Sequence, residues 1–269
     1  MGADSGDTIV GGVGSDTLQL SGNYTPAADG NLQEVESVVV KGNAAAVTVN
    51  LSNQSEAFTV LLSGLGDSVT TGSGADNITG GAGNDTITGG GDNDTLSGGA
   101  GNDRFVIDSG TDTITDLATG DELRISAAAA VSAINVLGFV ATNATINEGK
   151  ATINASSSGG NISVALAGGS NGFTLVGVRD NASAADTLIG GNYADFIVGG
   201  DGADLLQGGT GSDTIYGGAN DTGSPDGNDT IYGGDGDDLL RGNNDYGNGS
   251  DQNTIDGGSG NDTVIGALS

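Results

Sequence analysis

Seven aspartates follow one another at intervals of nine residues: Asp67, Asp76, Asp85, Asp94, Asp103, Asp112 and Asp121. Two places after each stands an apolar residue, in order Val69, Ile78, Ile87, Leu96, Phe105, Ile114 and Leu123. A fixed short period means one small unit stacked on itself, which limits the fold to repeat architectures. It limits the chemistry too. Carboxylates brought one coil apart repel by about 3 kcal/mol at about 5 Å and an effective dielectric near 20, so something cationic has to lie among them.

The unit reads GGxGxDxUx, where U is a large apolar residue. Residues 11–19 (GGVGSDTLQ), 80–88, 98–106, 199–207, 208–216, 233–241 and 257–265 fit it at every position. Glycines at positions one, two and four allow positive φ and close backbone approach, as a tight six-residue turn requires. Positions seven to nine alternate polar, apolar, polar, the mark of a short strand with one side chain inward. Such a strand is too short for a hairpin, so it pairs with its equivalents in neighbouring coils. Two units make one coil, and residues eighteen apart stack: Asp76, Asp94 and Asp112 in one column, Asp85, Asp103 and Asp121 in the other. The expected fold is all-β, an elongated right-handed parallel β-roll or β-helix solenoid.

Composition narrows the partners. The chain has 53 glycines, 35 acidic residues, six basic ones, no histidine and no cysteine, for a formal charge of −29. A flexible acidic linker would share that charge but would have no register. Six scattered cations cannot build a stripe for nucleic acid or anionic lipid. No apolar run is long enough to span a bilayer, so membrane insertion is not expected. The first residues show no signal peptide, and both ends read as cut within a repeat. Oxygen ligands without histidine or cysteine favour a hard cation. A cage of several protein oxygens suits calcium better than magnesium, which keeps its waters. The side-chain ligands expected for a set of Ca2+ ions are the position-six aspartates: Asp7, Asp16, Asp67, Asp76, Asp85, Asp94, Asp103, Asp112, Asp121, Asp186, Asp195, Asp204, Asp213, Asp229, Asp238 and Asp262.

These nonapeptides resemble the RTX, or haemolysin-type calcium-binding, repeats of secreted bacterial proteins. The resemblance covers residues 2–19, 62–126 and 181–265, and 105–126 (FVIDSGTDTITDLATGDELRIS) is similar to the segment that often follows such repeats. It implies a β-roll with calcium between successive turns, type I secretion in the unfolded state, and folding on extracellular calcium. The pattern has departures. Asp92 and Tyr193 replace the fourth-position glycine, and Asn253 replaces the ligand aspartate, so the sites at Asp195 and Asn253 are expected to be weaker. Insertions near 220–226 and within 242–251 read as polar loops, where Asp221, Asp226, Asp245 and Asp251 read as solvated charge.

The chain divides into RTX repeats at 1–19, β-rich spacer rungs at 20–61, a β-roll block at 62–126, further spacer rungs at 127–180, and a second block at 181–269 with two insertions. The spacers lose Gly and Asp and gain Val, Ala, Thr and Asn, but keep short alternating runs such as 47–51 (VTVNL) and 162–166 (ISVAL). The coil is expected to continue through them with few ions. Ala127 to Ala130 hint at helix without support from their neighbours. The string GGSNG at 168–172 fits a nucleophile elbow, but a chain without histidine has no base for it. No enzyme activity is therefore expected. The spacers are similar to those of RTX surface-layer and surface-associated proteins, which implies a structural segment at the bacterial cell surface, with self-association or cell-surface polysaccharide as partners. The alternatives are the non-catalytic repeat domain of an exoenzyme or toxin and, more remotely, an ice-binding solenoid, for which a flat threonine row is lacking.

Overall fold

Strand follows strand in parallel, each hydrogen-bonded to the strand one coil before it and the strand one coil after. The computed structural model describes residues 7–41, 45–177, 184–218, 227–242 and 252–265. They fall into two compact units, 1–116 with 120–131, and 117–119 with 132–269. Each is a parallel β-solenoid.

In the first unit one side of the coil is formed by Thr17–Leu20, Ser37–Val40, Thr59–Leu61, Asn77–Ala82, Thr95–Ala100 and Thr111–Ile114. The other side carries Thr48–Asn50, Ser68–Thr70, Thr86–Thr88, Arg104–Ile107 and Glu122–Ile125. The eighteen-residue register of the repeats is present: Leu96 lies between Ile78 and Ile114, and Phe105 between Ile87 and Leu123. All six side chains are fully buried. At roughly 1.5–3 kcal/mol for each such side chain, these columns are the main apolar stabilisation of the roll.

The parallel pairing runs on through residues 20–61. Thr17 pairs with Ser37 and Ser37 with Thr59, so these two rungs are slightly longer than those of the repeats, and the eighteen-residue step returns where Thr59 pairs with Asn77. Their interior is correspondingly richer, with Tyr24, Leu32, Val38, Val49, Leu51 and Val60 buried. Among the described residues the one helical element is a 3-10 turn at Asp29–Asn31. The alanines at 127–130 form a turn closed by Ala129 N–H to the Ser126 carbonyl at 2.9 Å, and Ala130 then begins a strand.

The second unit repeats the plan. Lys150–Ala155, Phe173–Val176, Phe196–Gly200, Thr214–Gly218, Leu239–Arg241 and Thr263–Ile265 stack on one side. Gly138–Val140, Asn161–Ser163, Thr187–Ile189, Leu205–Thr210, Thr230–Asp235 and Thr254–Ser259 stack on the other. Leu188, Leu206 and Ile231 form one buried column and Ile197, Ile215 and Leu240 the opposite one. Leu205 pairs with Thr230 and Thr230 with Thr254, well beyond eighteen residues on. The excess chain falls at 219–226 and 243–251. Both insertions, with Asp221, Asp226, Asp245 and Asp251, lie outside the described residues.

Strands on one side reach further than positions seven to nine, because the next two glycines and the residue after them join the ladder, as in Asn77–Ala82 against Thr95–Ala100. Backbone stacks on backbone there without a side chain between. A Cβ on Gly99 would sit 2.0 Å from the Gly81 carbonyl oxygen, and Gly99 has φ +96°. Only glycine accepts both conditions.

Candidate metal centre

The turn that precedes each strand delivers its aspartate inward, not into solvent. Asp67, Asp76, Asp85, Asp94, Asp103, Asp112, Asp121, Asp186, Asp195, Asp204, Asp213, Asp229 and Asp238 are all buried. Position-one glycine makes the space. A Cβ on Gly89 would stand 2.2 Å from Asp94 Oδ2, and one on Gly208 equally close to Asp213 Oδ2. In the seven full repeats the second and fourth glycines take positive φ, whereas the first serves through close approach alone. Asp92, in a fourth-position slot, adopts φ 70°, so that turn keeps the repeat's left-handed geometry.

One hydrogen bond recurs throughout. Within the repeat blocks the main-chain N–H of one aspartate donates to Oδ1 of the aspartate one coil later. In the first unit Asp67 donates to Asp85 at 2.6 Å, Asp85 to Asp103 at 2.8 Å and Asp103 to Asp121 at 2.9 Å. On the opposite side Asp76 donates to Asp94 at 2.8 Å and Asp94 to Asp112 at 3.0 Å. In the second unit the same bond links Asp186 to Asp204, Asp204 to Asp229, Asp195 to Asp213, Asp213 to Asp238 and Asp238 to Asp262. The columns expected from the sequence are thus joined atom to atom. Asn253 keeps the bond, its Oδ1 accepting Asp229 N–H at 2.7 Å. What it lacks is the charge.

The N-terminal pair stands differently. Asp16 is half-buried and donates its N–H to the Glu36 carboxylate at 2.7 Å, so a glutamate takes the ladder position in the spacer. Asp7 is exposed, and its carbonyl accepts the Asn31 side-chain amide. Sequence reasoning also passed over Asp116. Its carboxylate accepts the N–H groups of Gly98 and Gly99 and the Ser97 hydroxyl, closing a turn beyond which the neighbouring strand Thr111–Ile114 does not reach.

The other carboxylate oxygen decides the chemistry. Oδ2 of Asp76, Asp85, Asp94, Asp112, Asp213 and Asp238 is buried without a hydrogen-bond partner. A buried, unsatisfied carboxylate oxygen is costly. Burial accordingly pushes these groups up from the ordinary 3.8, to about 6 for Asp76, Asp85 and Asp112 and about 7 for Asp94 and Asp213. Burial also raises Asp103 and Asp238. The ladder bond opposes the shift in each case, while like charges add to it: Asp94 feels Asp112, Asp76 and Asp92. The residues therefore fit a hard cation. Among the described residues no three acidic side chains converge on one point, so a bound ion would draw its remaining ligands from turn carbonyls. Such an ion supplies the positive charge that the rows of carboxylates lack.

The GGSNG string is not built as an elbow: Ser170 donates its hydroxyl to Glu148, and Ser170 and Asn171 both donate main-chain N–H to the Asn147 carbonyl. Among the described residues no helix is long and apolar enough to cross a membrane.

Stacked glycine turns with inward aspartates define a cation-seeking parallel β-solenoid. The family profile of the RTX calcium-binding nonapeptide repeat matches residues 1–22, 70–105, 182–215, 198–221, 226–248 and 247–268, together just over half of the chain. The chain belongs to that family and is a calcium-binding structural repeat domain. No curated protein matches it. The carboxylate ladder continues beyond the matched segments, to Asp67, Asp112 and Asp121.

Proposed function

We propose that this chain is a non-catalytic structural segment of a secreted bacterial surface-layer or surface-associated protein. It leaves the cell unfolded by type I secretion and coils when calcium reaches it outside. The position-six aspartates whose second carboxylate oxygen is left over from the ladder are the side-chain ligands. The observation that carries the reading is the set of buried, unsatisfied Oδ2 atoms along the ladders. Such a row is tolerable only where a cation neutralises it, and extracellular fluid supplies millimolar calcium where the cytoplasm does not. A fold that needs the ion therefore stays open for export and closes after it.

The spacers support the surface-layer assignment over the repeat tail of an exoenzyme or toxin. Residues 20–61 and 127–180 spend many rungs on apolar interior that binds no ion, extending the molecule without adding sites. The test has two stages. Circular dichroism in EDTA should show mostly coil, with β signal appearing cooperatively on adding calcium; an equal response to magnesium would refute the choice of ion. Electron microscopy and sedimentation of the calcium-loaded protein should then show ordered self-association. A dispersed monomer would refute the surface-layer role and favour the exoenzyme tail.

A further inference from the structure

Asp76, Asp85, Asp94, Asp112, Asp213 and Asp238 each use Oδ1 for the preceding coil and keep an Oδ2 without a partner. Asp67 and Asp195 do not. Asp67 Oδ1 accepts Val47 N–H at 2.8 Å, and its Oδ2 accepts both the N–H and the hydroxyl of Ser63, at 2.9 and 2.5 Å. Asp195 Oδ1 accepts Phe173 N–H and its Oδ2 accepts Gly191 N–H, each at 2.6 Å. In both cases the second donor lies four residues before the aspartate, within its own turn.

The sequence explains why these turns differ. Residues 62–67 read LSGLGD, without glycine at positions one, two and four, and 190–195 read GGNYAD, with Tyr193 at position four. In the turn of Asp94 the second-position residue, Gly90, has φ +90°. Neither Ser63 nor Gly191 is in that left-handed region. In these two turns the amide four residues back points into the carboxylate and closes a side-chain turn, as aspartates commonly do outside regular structure. A carboxylate already accepting two or three protein donors has little to offer an ion, and binding one would strip a buried N–H of its acceptor.

We infer that Asp67 and Asp195, though they stand at the ligand position of the repeat, hold no cation and act as hydrogen-bonded staples. Each ties its turn to the spacer rung before it: Asp67 to Val47, beside the strand Thr48–Asn50, and Asp195 to Phe173, at the head of Phe173–Val176. One side of each junction between spacer and repeat block is thus closed without metal. Calcium-dependent coiling has a preformed edge to grow from in each block.

This inference rests on calcium binding at the remaining ladder positions, and the experiment separates the two. Equilibrium dialysis of the full chain against calcium should give Asp67→Asn and Asp195→Asn the same number of bound ions as the parent. Asp94→Asn and Asp213→Asn should each lose bound calcium. In the calcium-saturated parent, amide exchange at Ser63 and Gly191 should be as slow as in the flanking strands. An ion lost from Asp67→Asn or Asp195→Asn with the β signal intact overturns the inference, as does fast exchange at Ser63 and Gly191. If either variant fails to fold, exchange in the parent decides alone. A parent that binds no calcium refutes the calcium reading, and the two amides still report on the staples.

Discussion

Replacing Asp94 by Asn should act in opposite directions with and without calcium. Asp94 is 2% exposed and ionises near 7 in the fold against an ordinary 3.8, chiefly through burial. A raised value makes the folded chain the better proton binder, so this contribution to stability is complete below about pH 4 and is lost as pH climbs through about 7. At about pH 8 the metal-free fold carries an ionised Asp94 at a cost of about 4 kcal/mol, from about three pH units at 1.36 kcal/mol each. Asparagine removes the charge and keeps an Oδ1 for Asp76 N–H, now bonded at 2.8 Å. Its amide, placed where Oδ2 was, costs about 1–3 kcal/mol if it finds no acceptor, which is less than the gain. In EDTA the variant should therefore be more stable than the parent by up to about 4 kcal/mol, and in calcium less stable, because a ligand has gone. Urea unfolding followed by circular dichroism measures both. Where the metal-free parent is already unfolded, acid titration in EDTA replaces it, and the variant should acquire β signal at the higher pH. A variant weakened equally in EDTA and in calcium would show that the carboxylate matters for packing alone.

Acid should partly replace calcium in the parent: in EDTA, β signal should grow as pH falls from about 8 toward 4, since Asp76, Asp85, Asp94, Asp112 and Asp213 protonate near 6 to 7. A flat or declining signal over that range would contradict the burial argument. Gly99→Ala should abolish cooperative folding, given a carbonyl 2.0 Å from the new Cβ, whereas Gly64→Ala, with nothing within 4 Å, should change urea stability by less than about 1 kcal/mol. Leu96→Ala, emptying the space between Ile78 and Ile114, should cost about 2–5 kcal/mol in calcium, read from the urea midpoint. Asn253→Asp keeps the ladder bond to Asp229 and adds the missing charge, so dialysis should count one more ion per chain.

The nine-residue spacing made the coil and its register legible, because glycine and a buried U residue leave only one way to stack. Leu96 lies against Ile78 and Ile114 as that period requires. The period says which residues are neighbours but not which atoms meet. That Asp94 spends Oδ1 on an amide and is left with a buried Oδ2 depends on turn dihedrals a few degrees wide, and no residue pattern carries it. Where the pattern weakens, the sequence signal goes with it. Glu36 substitutes for an aspartate because its longer side chain reaches across a rung of altered length. Asp116 closes a turn from outside the position-six series. The departure at Tyr193 is visible in the sequence, but its companion feature, an Asp195 whose Oδ2 accepts an amide of its own turn, is seen only in the folded backbone.

The amide-to-carboxylate bond gives the molecule a direction that its repeating outline hides. Each of these buried aspartate amides is latched by a side chain of the coil that follows it, whereas the exposed Asn84, Asn93, Asn228 and Asp237 latch main-chain N–H groups of the coil after their own. The inner edge of a coil is therefore finished by its successor, and the outer edge of that successor by the coil before it. Neighbouring coils in such a chain resemble roof tiles lapped from both sides, and a defect at one tile loosens its predecessor within and its heir without.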